Sequence, residues 1–225
     1  MAGRTRDLFA GPVCTAQPLP GLGRFRGLRI GLLGGSFNPA HDGHRHISLV
    51  ALRRLGLDEV WWLVAPLNPL KSAADMYPYE QRLAEARRIA DHPRIRVTDI
   101  ERRLGTAYSF DTIKALMARA PGVHFLWLMG ADNLAQFGHW HRWTDIVARV
   151  PLAILDRPRY SLKALTSKMA VRYKRYRFAD GDLKSLAAMS PPAWAFLSLR
   201  RHPLSATRLR EAAAAGSRSS NASAP

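Results

Sequence analysis

The stretch Arg29-Ile-Gly-Leu-Leu-Gly-Gly-Ser-Phe-Asn-Pro-Ala-His-Asp-Gly-His44 constrains the fold more than any other part of the chain. Leu28 to Leu33 is an apolar run of strand length, and it ends at Gly34 and Gly35. A Ser-Phe-Asn-Pro turn follows, then His41 and His44. From Gly43 to about Leu55 a helix is expected, with Ile47, Val50, Ala51 and Leu55 at helical spacing. A strand that feeds a glycine-rich turn and then a helix N-terminus is an arrangement suited to phosphate, because the first helical N–H groups are unpaired and the dipole is positive there. Gly34 and Gly35 are expected to let the backbone approach a ligand with no Cβ in the way. A Gly-Gly turn is also a common strand-to-helix connection. The histidines add side-chain donors at the same place.

The same alternation continues downstream. Strands are predicted at Glu59–Val64, Ile95–Ile100, Val123–Met129, Leu152–Leu155 and Trp194–Leu199, and helices at Glu80 to about Ala90 and Ser109 to Ala118. A proline-bearing loop covers Ala65 to Tyr79. The fold class is therefore α/β: a Rossmann-like doubly wound parallel sheet with helices on both faces, plus a small C-terminal helical and strand subdomain. Ligands of such sheets sit at the carboxyl ends of the strands, near the point where the strand order reverses. Residues 1–27 read as a loose leader, 28–215 as a single domain with a basic part from 157, and 216–225 as a disordered tail. The basic segment 159–192 has weak periodicity, with a short helix expected at Leu183–Ala188.

Composition narrows the classes. At 225 residues and 47% hydrophobic content the chain can bury one good core. No apolar run reaches the ~18 residues of a membrane span, so no membrane partner is expected. A single cysteine, Cys14, excludes an internal disulfide and fits a reducing, cytoplasmic compartment. The net charge of +17 is uneven: between Arg157 and Arg210 there are 13 Lys+Arg against 2 Asp+Glu. Such a field steers polyanions, whether ATP or nucleic acid, or is simply a solvated basic face.

The combined pattern Gly-Gly-Ser-Phe-Asn-Pro-x-His-x-Gly-His resembles the signature of the nucleotidyltransferase superfamily that carries (H/T)-x-G-H. Further matches follow in order: Pro66-Leu-Asn-Pro-Leu-Lys71, Tyr108-Ser109-Phe-Asp111-Thr112, Met129-Gly-Ala-Asp132, Trp140, Asp156-Arg-Pro158, and Leu204-Ser-Ala-Thr-Arg-Leu-Arg210. Together they resemble bacterial nicotinate mononucleotide adenylyltransferases over about residues 28–212. The resemblance implies adenylyl transfer from ATP to nicotinate mononucleotide, giving deamido-NAD and pyrophosphate. It implies that His41, His44 and Arg210 serve catalysis, and that Gly34, Gly35, Ser36, Phe37, Asp132, Ser205 and Thr207 join them in binding ATP. It places Asp132 near the adenosine ribose, Trp140 on the pyridine ring, Ser109 near the nicotinate carboxylate and Lys71 at phosphate. It implies Mg²⁺ held mainly by the ATP phosphates, with no metal site of protein ligands. Two departures stand out: Ala206 and Ser109 occupy positions where the family has Ser and Thr.

The chemistry suits such residues. A phosphate monoester with a second pKa of about 6 is already a nucleophile at neutral pH, so cations and N–H donors matter more than a general base. The residues leave other readings open. Nicotinamide mononucleotide or phosphopantetheine would use the same fold; His41 speaks against the latter, whose enzymes usually show Thr at that place. Zinc ligation by His41, His44, His46, His139 and His141 lacks an acidic residue at ligand spacing. A nucleic-acid-binding role for the basic segment lacks a recognisable signature, so nucleic acid is not required. Monomer and homo-oligomer are equally compatible with the sequence.

Overall fold

The computed structural model describes residues 21–66, 76–156 and 160–198. Six strands form one sheet: β1 (Arg29–Gly35), β2 (Glu59–Val64), β3 (Ile95–Thr98), β4 (His124–Gly130), β5 (Leu152–Leu155) and β6 (Trp194–Leu197). Every pairing is parallel and the order is β3-β2-β1-β4-β5-β6. The order reverses between β1 and β4, so their carboxyl ends, Gly35 and Gly130, flank the crevice where ligands of such sheets bind.

The strands are almost continuously apolar because both faces of the sheet are covered. Alternation of side chains sorts them into two cores. Leu32, Trp61 and Trp127 share one face. Leu33, Trp62 and Leu128 share the other. On the second face lie α1 (Asp42–Arg54) and α2 (Tyr79–Ala90). On the first lie α4 (Ser109–Arg119) and short helices α5 (Ala131–Gln136), α6 (Trp143–Val147), α7 (Ser161–Leu165) and α8 (Lys168–Arg172). Another short helix, α3 (Ile100–Leu104), follows β3. Among the described residues no helix is long and apolar enough to cross a membrane.

Several boundaries differ from expectation. Residues 21–27, read as the end of a leader, belong to the fold. Leu22–Phe25 form a 3₁₀ turn whose Leu22 and Phe25 are buried, with the Phe25 ring edge-on to Trp61 at 5.0 Å. The third strand stops at Thr98, because the chain enters α3 at Ile100 instead of extending through it. The strand at Trp194 ends at Leu197 and pairs with β5, which makes the C-terminal part continuous with the main sheet. In the basic segment, α7 and α8 bury only Ala164, Met169 and Ala170, too few positions to show a period.

Gly34 and Gly35 lie inside β1, paired with Leu63 and Val64, and are not a turn. A Cβ on Gly34 would come within 2.9 Å of the Trp127 ring. Close approach of the Trp127 side chain to this stretch of backbone leaves no room for a Cβ there.

Candidate active site

The loop from Ser36 to Ala40 carries the chain from the end of β1 to the start of α1. Ser36, Phe37 and Asn38 are buried in it. Phe37 has φ +46°, a left-handed conformation that a non-glycine residue adopts only under constraint. Its ring stacks on Trp62 at 5.0 Å and lies 4.9 Å from the His44 ring.

His41 and His44 take the N-cap and third-residue positions of α1, the two places a capping box links. The His44 N–H donates to the His41 carbonyl at 2.8 Å. The His41 N–H donates to His44 Nδ1 at 3.3 Å. The rings stand 3.9 Å apart. Spacing of three is therefore what the helix start requires to bring both imidazoles together. Because Nδ1 of His44 accepts a hydrogen bond, the neutral ring carries its proton on Nε2, which makes Nε2–H a donor. Ser48 anchors this end of the helix: its hydroxyl donates to the His44 carbonyl at 2.8 Å and accepts from the fully buried Trp62 indole N–H at 2.8 Å.

Across the crevice, β4 ends at Gly130, which is the N-cap of α5, so Asp132 is a first-turn residue and not the cap. Asp132 is half-buried. Ser109 opens α4, and Trp140 follows the turn Phe137–His139. Trp140 is half-buried, edge-on to Phe137 at 5.2 Å and to Trp127 at 6.4 Å. Their neighbours Tyr108 and His141 meet ring to ring at 4.6 Å, so the segments carrying Ser109 and Trp140 adjoin. Lys71, Ser205, Thr207 and Arg210 lie outside the described residues.

Two groups had escaped sequence reading. Glu101, on α3, is 7% exposed. It accepts a hydrogen bond from the Thr112 hydroxyl at 3.2 Å, and Thr112 meets the Thr106 hydroxyl at 2.8 Å. Burial pushes the Glu101 carboxyl up to about 7, opposed by the Thr112 bond. This network holds the turn that leads into Ser109. The other group is Arg82, buried on α2 with Leu83, Ala86 and Ala90. A cation inside an apolar stripe at helical spacing was the legible signal for it. Among the described residues no three His, Cys, Asp or Glu side chains gather as metal ligands.

A parallel sheet of this order, with a histidine pair over the end of β1 and an aspartate beyond β4, defines a nucleotide-handling α/β protein. Residues 32–212 match the cytidylyltransferase-like family model, and the chain belongs to that nucleotidyltransferase family. Its curated relatives narrow the group to the nicotinate-nucleotide adenylyltransferases. One from Parvibaculum lavamentivorans, named probable nicotinate-nucleotide adenylyltransferase, is 52% identical over 185 residues, 82% of this chain and 92% of its own. Another of that name, from Cereibacter sphaeroides, is 56% identical over 181 residues, covering 80% and 96%. The fold is similar to that of Plasmodium falciparum nicotinic acid mononucleotide adenylyltransferase complexed with NaAD, with TM-score 0.62, 15% identity and coverage of 81% and 82%.

Proposed function

We propose that the chain transfers the adenylyl group of ATP to nicotinate mononucleotide. An oxygen of the acceptor phosphate attacks the α-phosphorus of ATP. The bond from that phosphorus to the bridging oxygen breaks, leaving deamido-NAD and pyrophosphate. The single observation that carries this reading is the histidine pair closed over the end of β1, with the His41 N–H bonded to His44 Nδ1 and the two rings 3.9 Å apart. In this reading His41 and His44 donate to the ATP phosphates and stabilise charge that develops in the transition state. Ser36 and Phe37 add backbone N–H groups; Ser205, Thr207 and Arg210 hold the triphosphate; Lys71 meets phosphate; Asp132 holds the ribose. Ser109 and Trp140 read the nicotinate ring and carboxylate, a role supported by the contact between their neighbours.

In this reading the N–H groups of the histidine pair and the loop after β1 suit phosphate oxygens, and among the described residues no three His, Cys, Asp or Glu side chains gather to hold a cation. Magnesium accordingly arrives on the nucleotide, held by its phosphates and water. When bound there it neutralises charge on the leaving pyrophosphate.

The test is pyrophosphate release from ATP and Mg²⁺, with nicotinate mononucleotide, nicotinamide mononucleotide and phosphopantetheine as separate acceptors. Turnover at least tenfold more efficient with the nicotinate form is expected. Preference for either of the others would replace the acceptor and reassign Ser109 and Trp140. No turnover with any acceptor would overturn the reading.

A further inference from the structure

Arg82 is 2% exposed, yet among the described residues it has no carboxylate partner. Among the described residues, every hydrogen bond it makes goes to a main-chain carbonyl. Nη1 donates to Ser36 O at 2.6 Å and to Ala65 O at 2.9 Å. Nη2 donates to Pro66 O at 3.1 Å, and Nε to Tyr77 O at 3.0 Å. These carbonyls belong to three separate segments: the loop after β1, the exit of β2 and the approach to α2. A second bond ties the first and third, from the Tyr77 N–H to Asn38 Oδ1 at 2.9 Å.

The contact with Ser36 has a stereochemical consequence. In a trans peptide the C=O and N–H point to opposite sides. Fixing the Ser36 carbonyl on the guanidinium therefore turns the Phe37 N–H away from Arg82. Among the described residues that N–H finds no acceptor. Phe37 also has φ +46°, a conformation that persists only when its surroundings over-determine it. Rotation of the Ser36–Phe37 peptide would relieve the strain and present a carbonyl where the N–H had been. A carbonyl there repels phosphate.

We propose that Arg82 is a positioning residue for adenylyl transfer: it locks the Ser36–Phe37 peptide so that the Phe37 N–H stays available as a phosphate donor beside His41 and His44. The proposal rests on the adenylyltransferase reading above. Its planar fork is the reason for arginine, because one ammonium cannot span four carbonyls on three segments. Burial lowers the pKa of this guanidinium from its ordinary value, opposed by the neighbouring Tyr79.

The experiment compares wild type, Arg82→Lys and Arg82→Ala in pyrophosphate release, with thermal unfolding as a measure of folded protein. Arg82 lines an open depression of about 440 Å³ with Pro39, Tyr77, Gln81 and Glu85, so a small cation can reach its place. Expected are a kcat at least tenfold lower for folded Arg82→Lys, a raised KM for ATP, a KM for the nicotinate acceptor within twofold, and partial recovery of Arg82→Ala by millimolar guanidinium. A folded Arg82→Lys with kcat and ATP KM within twofold of wild type overturns the proposal. Failure of both variants to fold overturns it too, marking Arg82 as a purely structural residue. Lack of turnover in wild type would instead sink the functional reading.

Discussion

At the scale of single residues, His44 is where local geometry and chemistry meet. Its Nδ1 accepts from the His41 N–H, so the neutral ring carries its proton on Nε2. His44→Ala is expected to lower kcat by about 10²–10³-fold, the usual loss for one transition-state donor, with the KM for ATP changed only a few-fold. Steady-state kinetics at saturating acceptor checks this, and an unchanged kcat would remove the transition-state role. Glu101 offers a different readout. Its folded pKa, about 7, lies above the ordinary value of 4.5 because the carboxyl is buried. An acid whose folded pKa is raised binds its proton more tightly when folded. Its contribution is fully present below about pH 4.5 and is lost as pH rises through about 7. Glu101→Gln keeps an acceptor for Thr112 and removes the ionisation. The variant should therefore gain on wild type as pH rises from 4.5 to 7.5, by an amount on the order of 1–3 kcal/mol. Chemical denaturation at several pH values checks it, and a pH-independent difference would rule out Glu101 as the titrating group.

At the scale of elements, the site depends on how α1 is seated. Nothing in the spacing of Ile47, Val50 and Ala51 shows that Ser48 joins the helix to β2. The bond exists because α1 packs over Trp62, whose buried indole N–H needs an acceptor. Ser48→Ala leaves that donor unsatisfied and is expected to destabilise the fold by about 1–3 kcal/mol. The midpoint of denaturant unfolding should fall accordingly, and a loss under 0.5 kcal/mol would mean that water replaces the hydroxyl. The strands β1, β2, β4 and β5 were legible because their apolar runs are unbroken. The helices α5 to α8 were not, since each is five or six residues long and presents too few turns for a 3.6-residue period. Gly34 was legible as a glycine, but its contact with the Trp127 ring on the neighbouring strand β4, 93 residues away, was not.

At the scale of the whole molecule, the charge is lopsided. Lys163, Lys168, Arg172, Lys174 and Arg175 are exposed, and among the described residues none has a carboxylate partner. With a net charge of +17, the chain should attract ATP from a distance. The Debye length is about 8 Å at physiological ionic strength, so added salt should suppress that attraction. Raising potassium chloride from about 50 to 500 mM is expected to lower kcat/KM for ATP several-fold while kcat stays within twofold. A salt-independent kcat/KM would show that the basic face plays no part in nucleotide capture.

The sequence by itself determined what depends on local order. Alternating apolar runs and helical spacing specified a parallel α/β sheet, and an ordered series of motifs specified a nucleotidyltransferase with its histidine pair. Tertiary structure alone decided what depends on segments far apart along the chain. It put Arg82 on the Ser36 carbonyl 46 residues away, buried Glu101 against Thr112, and brought Tyr108 to His141. Periodicity reports which face of an element turns inward. The partner it meets there is set only when the elements pack, because that is when buried polar groups must find one another.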